Sequence, residues 1–187
     1  MGRIHSAFFP VSSLRCSSEQ RGQSCLSSLF PLPRLSLAQS LQVMDRFIEK
    51  NDMDEDEWNL VFVDSIDDYY DEASEAPVED GSSPDSPFIG KTPQECHQLL
   101  LKLVEDTESE IITEYFAIMD ERSTKDDTVL LVCAERNDEE EVVAWPTVRA
   151  TFEVTAVALK CYLSGHSSIE EDLERAQREH DNVYRAR

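Results

Sequence analysis

Two short runs, EYFAIMD at 114–120 and TVLLVCAE at 128–135, are apolar at almost every interior position. They are too short for ordinary helices and rich in aromatic and β-branched residues, the pattern of strands buried on both faces. Such strands cannot leave either face to water, so helices must cover both sides of the sheet that they build. They are read as the central strands of the sheet.

The segment before these runs supplies a helix. In GKTPQECHQLLLKLVED, Thr92 is placed to cap, Pro93 suits the first helical position, and Glu95 completes Thr-x-x-Glu. Cys96, Leu99, Leu100, Leu103 and Val104 share one face, which predicts a helix over 93–106. His97 lies off that stripe and is expected at the surface. Upstream, the apolar run of WNLVFVD (58–64) reads as a short buried strand. Downstream, RNDEEE (136–141) reads as a charged turn, and Val148, Ala150, Phe152 and Val154 alternate with polar residues as in a half-buried strand. That strand should form a hairpin with 128–135. TAVALKCYLSG (155–165) tilts towards a helix stopped at Gly165, and Ser167-Ser168-Ile169-Glu170 opens another over 168–184. The predicted fold class is α/β, a mixed sheet of about four to five strands with three helices in one compact domain.

Charge divides the chain unevenly. Residues 1–43 carry four arginines, ten serines and one acid, whereas from Met44 onward 13 basic residues face 38 acidic ones. The first part reads as a disordered basic extension, either an organelle transit peptide or an extension ahead of a start at Met44. A cytoplasmic location is expected, or a mitochondrial one if residues 1–43 are a transit peptide. Residues 44–57 read as an acidic linker, 58–187 as the domain, and 71–89 as a disordered, solvated loop rich in Pro, Ser, Gly and acid. Between Asp52 and Asp85 there are fourteen acids and no Lys or Arg. A net charge of −22 repels nucleic acid and anionic membrane surfaces, so a basic protein is the expected partner and direct nucleic-acid binding is not. No run reaches the length of a membrane span. The five cysteines are scattered without a CxxC, as in a reducing compartment.

Four site chemistries were weighed. DDYYDE (67–72) has the aspartate spacing of class I terpenoid synthases, but it follows a strand rather than riding on a long helix, and the second metal motif is missing. Asp64 ends one predicted strand and Asp120 another. If the two strands run parallel, Asp64, Asp67, Asp68 and Asp120, joined by Glu121, would make an oxygen-rich Mg²⁺ site for phosphate chemistry. A Cys161/His166 pair lacks any recognisable nucleophile setting, and IGKT (89–92) lacks the upstream glycine of a phosphate loop. The function expected from the concentrated charge is therefore a non-catalytic interaction or accessory domain without a cofactor, meeting its partner through 52–87 and 135–141. The alternative is a small Mg²⁺-dependent phosphohydrolase or phosphate-transfer domain that uses the four aspartates.

The succession of a strand ending in Asp64, the helix opened by TPQE, the strands YFAIMD and TVLLVCAE, and FEV running into helices resembles a small α/β domain family of unknown function. The likeness spans about residues 58 to 175. It implies a compact fold and assigns no catalytic residue.

Overall fold

The computed structural model of the protein describes residues 27–29, 37–51, 59–78 and 86–185. Along the chain these form β1 (Ser27–Leu29), α1 (Leu37–Lys50), β2 (Leu60–Phe62), α2 (Pro93–Thr107), β3 (Tyr115–Ile118), α3 (Ser123–Asp126) and β4 (Thr128–Cys133). There follow β5 (Glu135–Arg136), β6 (Val142–Ala144), β7 (Thr147–Thr151), α4 (Phe152–Ser164), α5 (Ile169–Ala176) and β8 (Val183–Tyr184). The fold is α/β. Its main sheet has the order β3-β4-β7-β8, with β4 antiparallel to both neighbours and β8 parallel to β7. Strand β1 pairs in parallel with β2 and runs beside β3, and β5 and β6 form a small hairpin.

Register sorts the sheet into two faces, since residues directly opposite one another point the same way. Phe116, Ile118, Leu130, Val132 and Arg149 share one face, and Tyr115, Ala117, Leu131, Cys133 and Val148 the other. Helix α2 covers the first face, where the His97 ring lies parallel to Phe116 with centroids 6.4 Å apart. Helix α4 covers the second, bringing Tyr162 to 6.0 Å from Tyr115. The two-sided burial demanded by the apolar runs is thus met.

The capped helix forms with both reciprocal capping-box bonds, and Cys96, Leu100 and Leu103 are buried on its inner side. Residue 97 is a correction, because His97 is 1% exposed rather than at the surface. Three boundaries also moved. The alternation through Val154 breaks at Phe152, whose N–H bonds to the Asp127 carbonyl at 2.9 Å as α4 begins, because 152, 155/156, 159 and 162 also satisfy a helical period. Helix α5 ends at Ala176, and the chain turns back so that Val183–Tyr184 lies along β7. Ser168 caps α5 through the Glu171 N–H, one residue later than the expected capping box.

Helix α1 was not anticipated. It runs across the composition break at Met44, and Met44 itself is 1% exposed on its inner face beside Val43 and Phe47. Residues 44–50 therefore belong to a helix, not to a linker. Phe47 is fully buried, edge-on to Phe152 at 5.1 Å and to Phe62 at 6.2 Å. Asn51 closes the helix: its side chain donates to the Phe47 carbonyl at 2.8 Å and accepts the Ala156 N–H of α4 at 3.1 Å. Arg46 Nε and Lys50 Nζ each lie 2.7 Å from the Asp127 carboxylate, tying α1 to the turn before β4. The stretch read as a free loop over 71–89 is likewise held at both described ends. Ser74 bonds twice to β2, the Val78 N–H donates to Asp45 at 2.8 Å, and Phe88 is fully buried.

Truncating Phe47 to Ala should lower unfolding free energy by about 3–5 kcal/mol, as for other buried Phe-to-Ala changes. Glu49→Ala, on the exposed side of the same helix, should change it by less than about 0.5 kcal/mol. Urea unfolding followed by circular dichroism measures both, and equal effects would show that α1 is not part of the cooperative unit.

Candidate functional site

Asp64 follows β2 and accepts a hydrogen bond from the Tyr70 hydroxyl at 3.1 Å. Burial, with the nearby Asp64 carboxylate, pushes the Tyr70 phenol well above its usual range, so it stays a neutral donor. Tyr70 thereby folds back over the strand end, while Tyr69 beside it projects outward with 52% of its surface exposed. Asp67 and Asp68 are exposed in the bend between Asp64 and Tyr69. Backbone bonds fix this loop to the end of α2: the Tyr70 N–H donates to Ser109 Oγ at 3.0 Å, and the Glu110 N–H donates to the Tyr70 carbonyl at 2.9 Å. Partial desolvation and the carboxylates of Asp71, Glu110 and Glu108 together raise the Tyr69 phenol. The result is an exposed aromatic ring held among acids contributed by two segments.

The acids of the alternative Mg²⁺ reading have the following surroundings. Asp120, at the end of β3, receives both Nη atoms of Arg149 from β7, the first at 3.0 Å, and accepts the backbone N–H groups of Arg122 and Ser123 at 3.0 and 3.2 Å. Burial would raise this carboxyl, but the Arg149 pair and the two N–H bonds hold it below the usual carboxylate range. With side chains only 13–14% exposed, the pair is structural: it neutralises the arginine that register places on the α2 face of the sheet. Among the described residues no group of three or more His, Cys, Asp or Glu side chains is arranged to hold a metal ion. Glu121, the fifth acid of that reading, faces Lys125 at 2.7 Å. Of the Cys161/His166 pair, His166 donates its backbone N–H to the Cys161 carbonyl at 2.9 Å, while its ring Nδ1 contacts Ser164 Oγ at 2.7 Å.

The charged turn at 136–141 is an ordered hairpin. Asn137 organises its tip, its side-chain oxygen accepting the N–H groups of Glu139 and Glu141 at 3.0 and 2.9 Å. Arg136 closes the base, donating to the Glu140 carbonyl and to Glu114, each at 2.9 Å. Asp138, Glu139, Glu140 and Glu141 are thereby displayed to solvent as a second acidic surface.

His97 is the polar residue that the sequence misplaced. Trp145 Nε1–H donates to its Nδ1 at 3.2 Å, which puts the imidazole proton on Nε2, and Nε2 is buried without a hydrogen-bond partner. Burial, with smaller opposing effects of Glu114 and Arg136, lowers its pKa to about 4. The sequence signal that could have found it is Trp145: a buried indole N–H needs an acceptor, and a histidine supplies one.

No protein-family model, curated protein or solved structure shows significant similarity to the chain. No helix among the described residues is long and apolar enough to cross a membrane.

Two outcomes follow from these geometries. Asp120→Ala should cost about 3–5 kcal/mol in urea unfolding by leaving the Arg149 guanidinium unpaired in a mostly buried position. His97 binds its proton more weakly folded than unfolded, where about 6.5 applies. Its contribution is fully present above pH 6.5 and is lost as the pH falls towards about 4, by about 1–3 kcal/mol. His97→Leu should flatten the stability profile across that window, and a variant with the wild-type slope would refute the assignment.

Proposed function

We propose that the protein is a non-catalytic interaction domain that meets a basic partner through its acidic loop surfaces, chiefly the one centred on Tyr69. The observation that carries this reading is the conjunction of an exposed aromatic ring with carboxylates on a backbone-fixed loop. Acids alone serve solubility as well as binding, and an exposed charge pair is worth little. An aromatic side chain held at half exposure leaves apolar area uncovered, and aromatic anchors carry a large share of interface energy. The surrounding Asp67, Asp68, Asp71, Glu108 and Glu110 would set which partner approaches and how fast, by attracting positive and repelling negative surfaces. Anchorage of the loop lowers the ordering cost of association, since Ser109, Glu110 and Ser74 already hold it. The acid tip of the β5–β6 hairpin supplies a second negative surface of the same kind.

The test is affinity capture by the full chain from extract of its own cells, with quantitative mass spectrometry of what is retained. Basic proteins should be enriched, elute as salt rises past about 0.2 M, and fall about tenfold with Tyr69→Ala or with Asp67→Asn, Asp68→Asn and Asp71→Asn together. Neutralising Glu153, Glu171 and Glu174 instead, at equal change in charge, should leave capture intact. A retained set that is the same for all variants would sink the proposal.

A further inference from the structure

A cleft of about 370 Å³ opens between the β3–β4 end of the sheet and the turn joining α4 to α5. Its floor and walls are the rings of Tyr115 and Tyr162, tilted at 42° to one another, with the Cys133 thiol and Ala134 beside them. Its rim carries Glu114, Glu135 and Glu170. Several elements place these groups: Glu114 and Tyr115 at the start of β3, Cys133 at the end of β4, Glu135 at the start of β5, Tyr162 near the end of α4, and Glu170 in the first turn of α5. Arg136 also lines the cleft, but its guanidinium is engaged by Glu114 and the Glu140 carbonyl. Glu135 and Glu170 are exposed. The positive end of α5 is already answered by Glu170, Glu171 and Asp172 in its first turn. The cleft therefore has apolar, partly aromatic walls and a negative mouth.

We propose that this cleft receives an alkylammonium group, the side chain of a lysine on the basic partner being the source we favour. An alkylammonium pairs an apolar stem with a compact cation. The stem suits the Tyr115 ring, Ala134 and the thiol, and the cation suits a tyrosine ring edged by carboxylates. Burial, followed by Glu170, Glu135 and Glu114, pushes the Cys133 thiol up to about 12. The thiol therefore stays neutral as part of the apolar lining. A carboxylate or phosphate ligand would meet the same three acids and be repelled. The inference deepens the proposed reading of a basic partner by naming the group recognised, and it uses residues other than those around Tyr69.

The experiment is a two-dimensional ¹H–¹⁵N NMR titration of the full chain with the tripeptide amide Gly-Lys-Gly, its Nε-acetylated counterpart, and n-butylamine. With the α-amino group of both peptides blocked by acetylation, Gly-Lys-Gly should give saturable shifts at Tyr115, Cys133 and Ser168 that Nε-acetylation abolishes and that Glu135→Gln with Glu170→Gln weakens about tenfold. These glutamates are exposed, so the double variant should keep the wild-type spectrum elsewhere. Binding by the tripeptide but not by n-butylamine assigns the site to a peptide lysine, and equal binding by both assigns it to alkylammonium ions generally. Equal shifts from the Nε-acetylated peptide, shifts indifferent to the double substitution, or no shifts would overturn the proposal. Partners lost with Tyr69→Ala but kept by the double variant would mean that this site fails while the broader reading stands.

Discussion

Strands β3 and β4 carry apolar side chains on both faces, and the rest of the molecule is arranged to keep water off them. Helix α2 is set against Phe116 and Ile118, and α4 against Ala117, Leu131 and their neighbours. The demand also reaches charged positions. Register puts Arg149 on the α2 face beside Leu130, where an unpaired guanidinium would be costly. Asp120, just beyond β3, takes both guanidinium nitrogens, so one of the four carboxylates of the Mg²⁺ reading is used to neutralise the sheet's buried arginine.

With the interior settled in this way, the surplus of acid is left to the connections. It is not left floating there. The loop after β2 is tied to Ser109 and Glu110, the segment after it to β2 and Asp45, and the hairpin tip to Asn137. Crowding like charges on short, fixed loops costs stability through self-repulsion. A solubilising coat could be spread over the surface or placed in tails at lower cost, so the cost is better understood as that of presenting a charged surface in a fixed shape.

Where a residue's neighbours in sequence decide its structure, the chain was readable. The capping box of α2, the two-faced strands, the hairpin of β4 with β7, and the stop of α4 at Gly165 all rest on contacts within a few residues or on strict periodicity. Long-range pairing decided the rest. Phe47 is buried because Phe62 and Phe152 converge on it, and the helical spacing of Leu37, Leu41, Met44 and Ile48 was the local signal that the composition break at Met44 obscured. Tyr70 and Tyr69 are adjacent and alike, yet Asp64 and Ser109 turn one inward and leave the other out. His97 was assigned to solvent by its place on the helical wheel, and only the distant Trp145 explains its burial. The strand-end rule placed Asp120 at a sheet edge, but its arginine comes from a strand 29 residues away. The cleft at Tyr115 and Cys133 was invisible for the same reason, being built from four separated segments.

Strand β8 is only two residues long, but Val183 and Tyr184 align with Arg149 and Ala150 and cover the outer rim of β7. Without it, β7 would offer free main-chain donors and acceptors along a rim that presents Val148 and Ala150, the kind of template on which foreign strands add. The turn that ends α5 early and sends the chain back to β7 thus supplies part of that rim with main-chain partners from within the chain, narrowing the template left for a foreign strand.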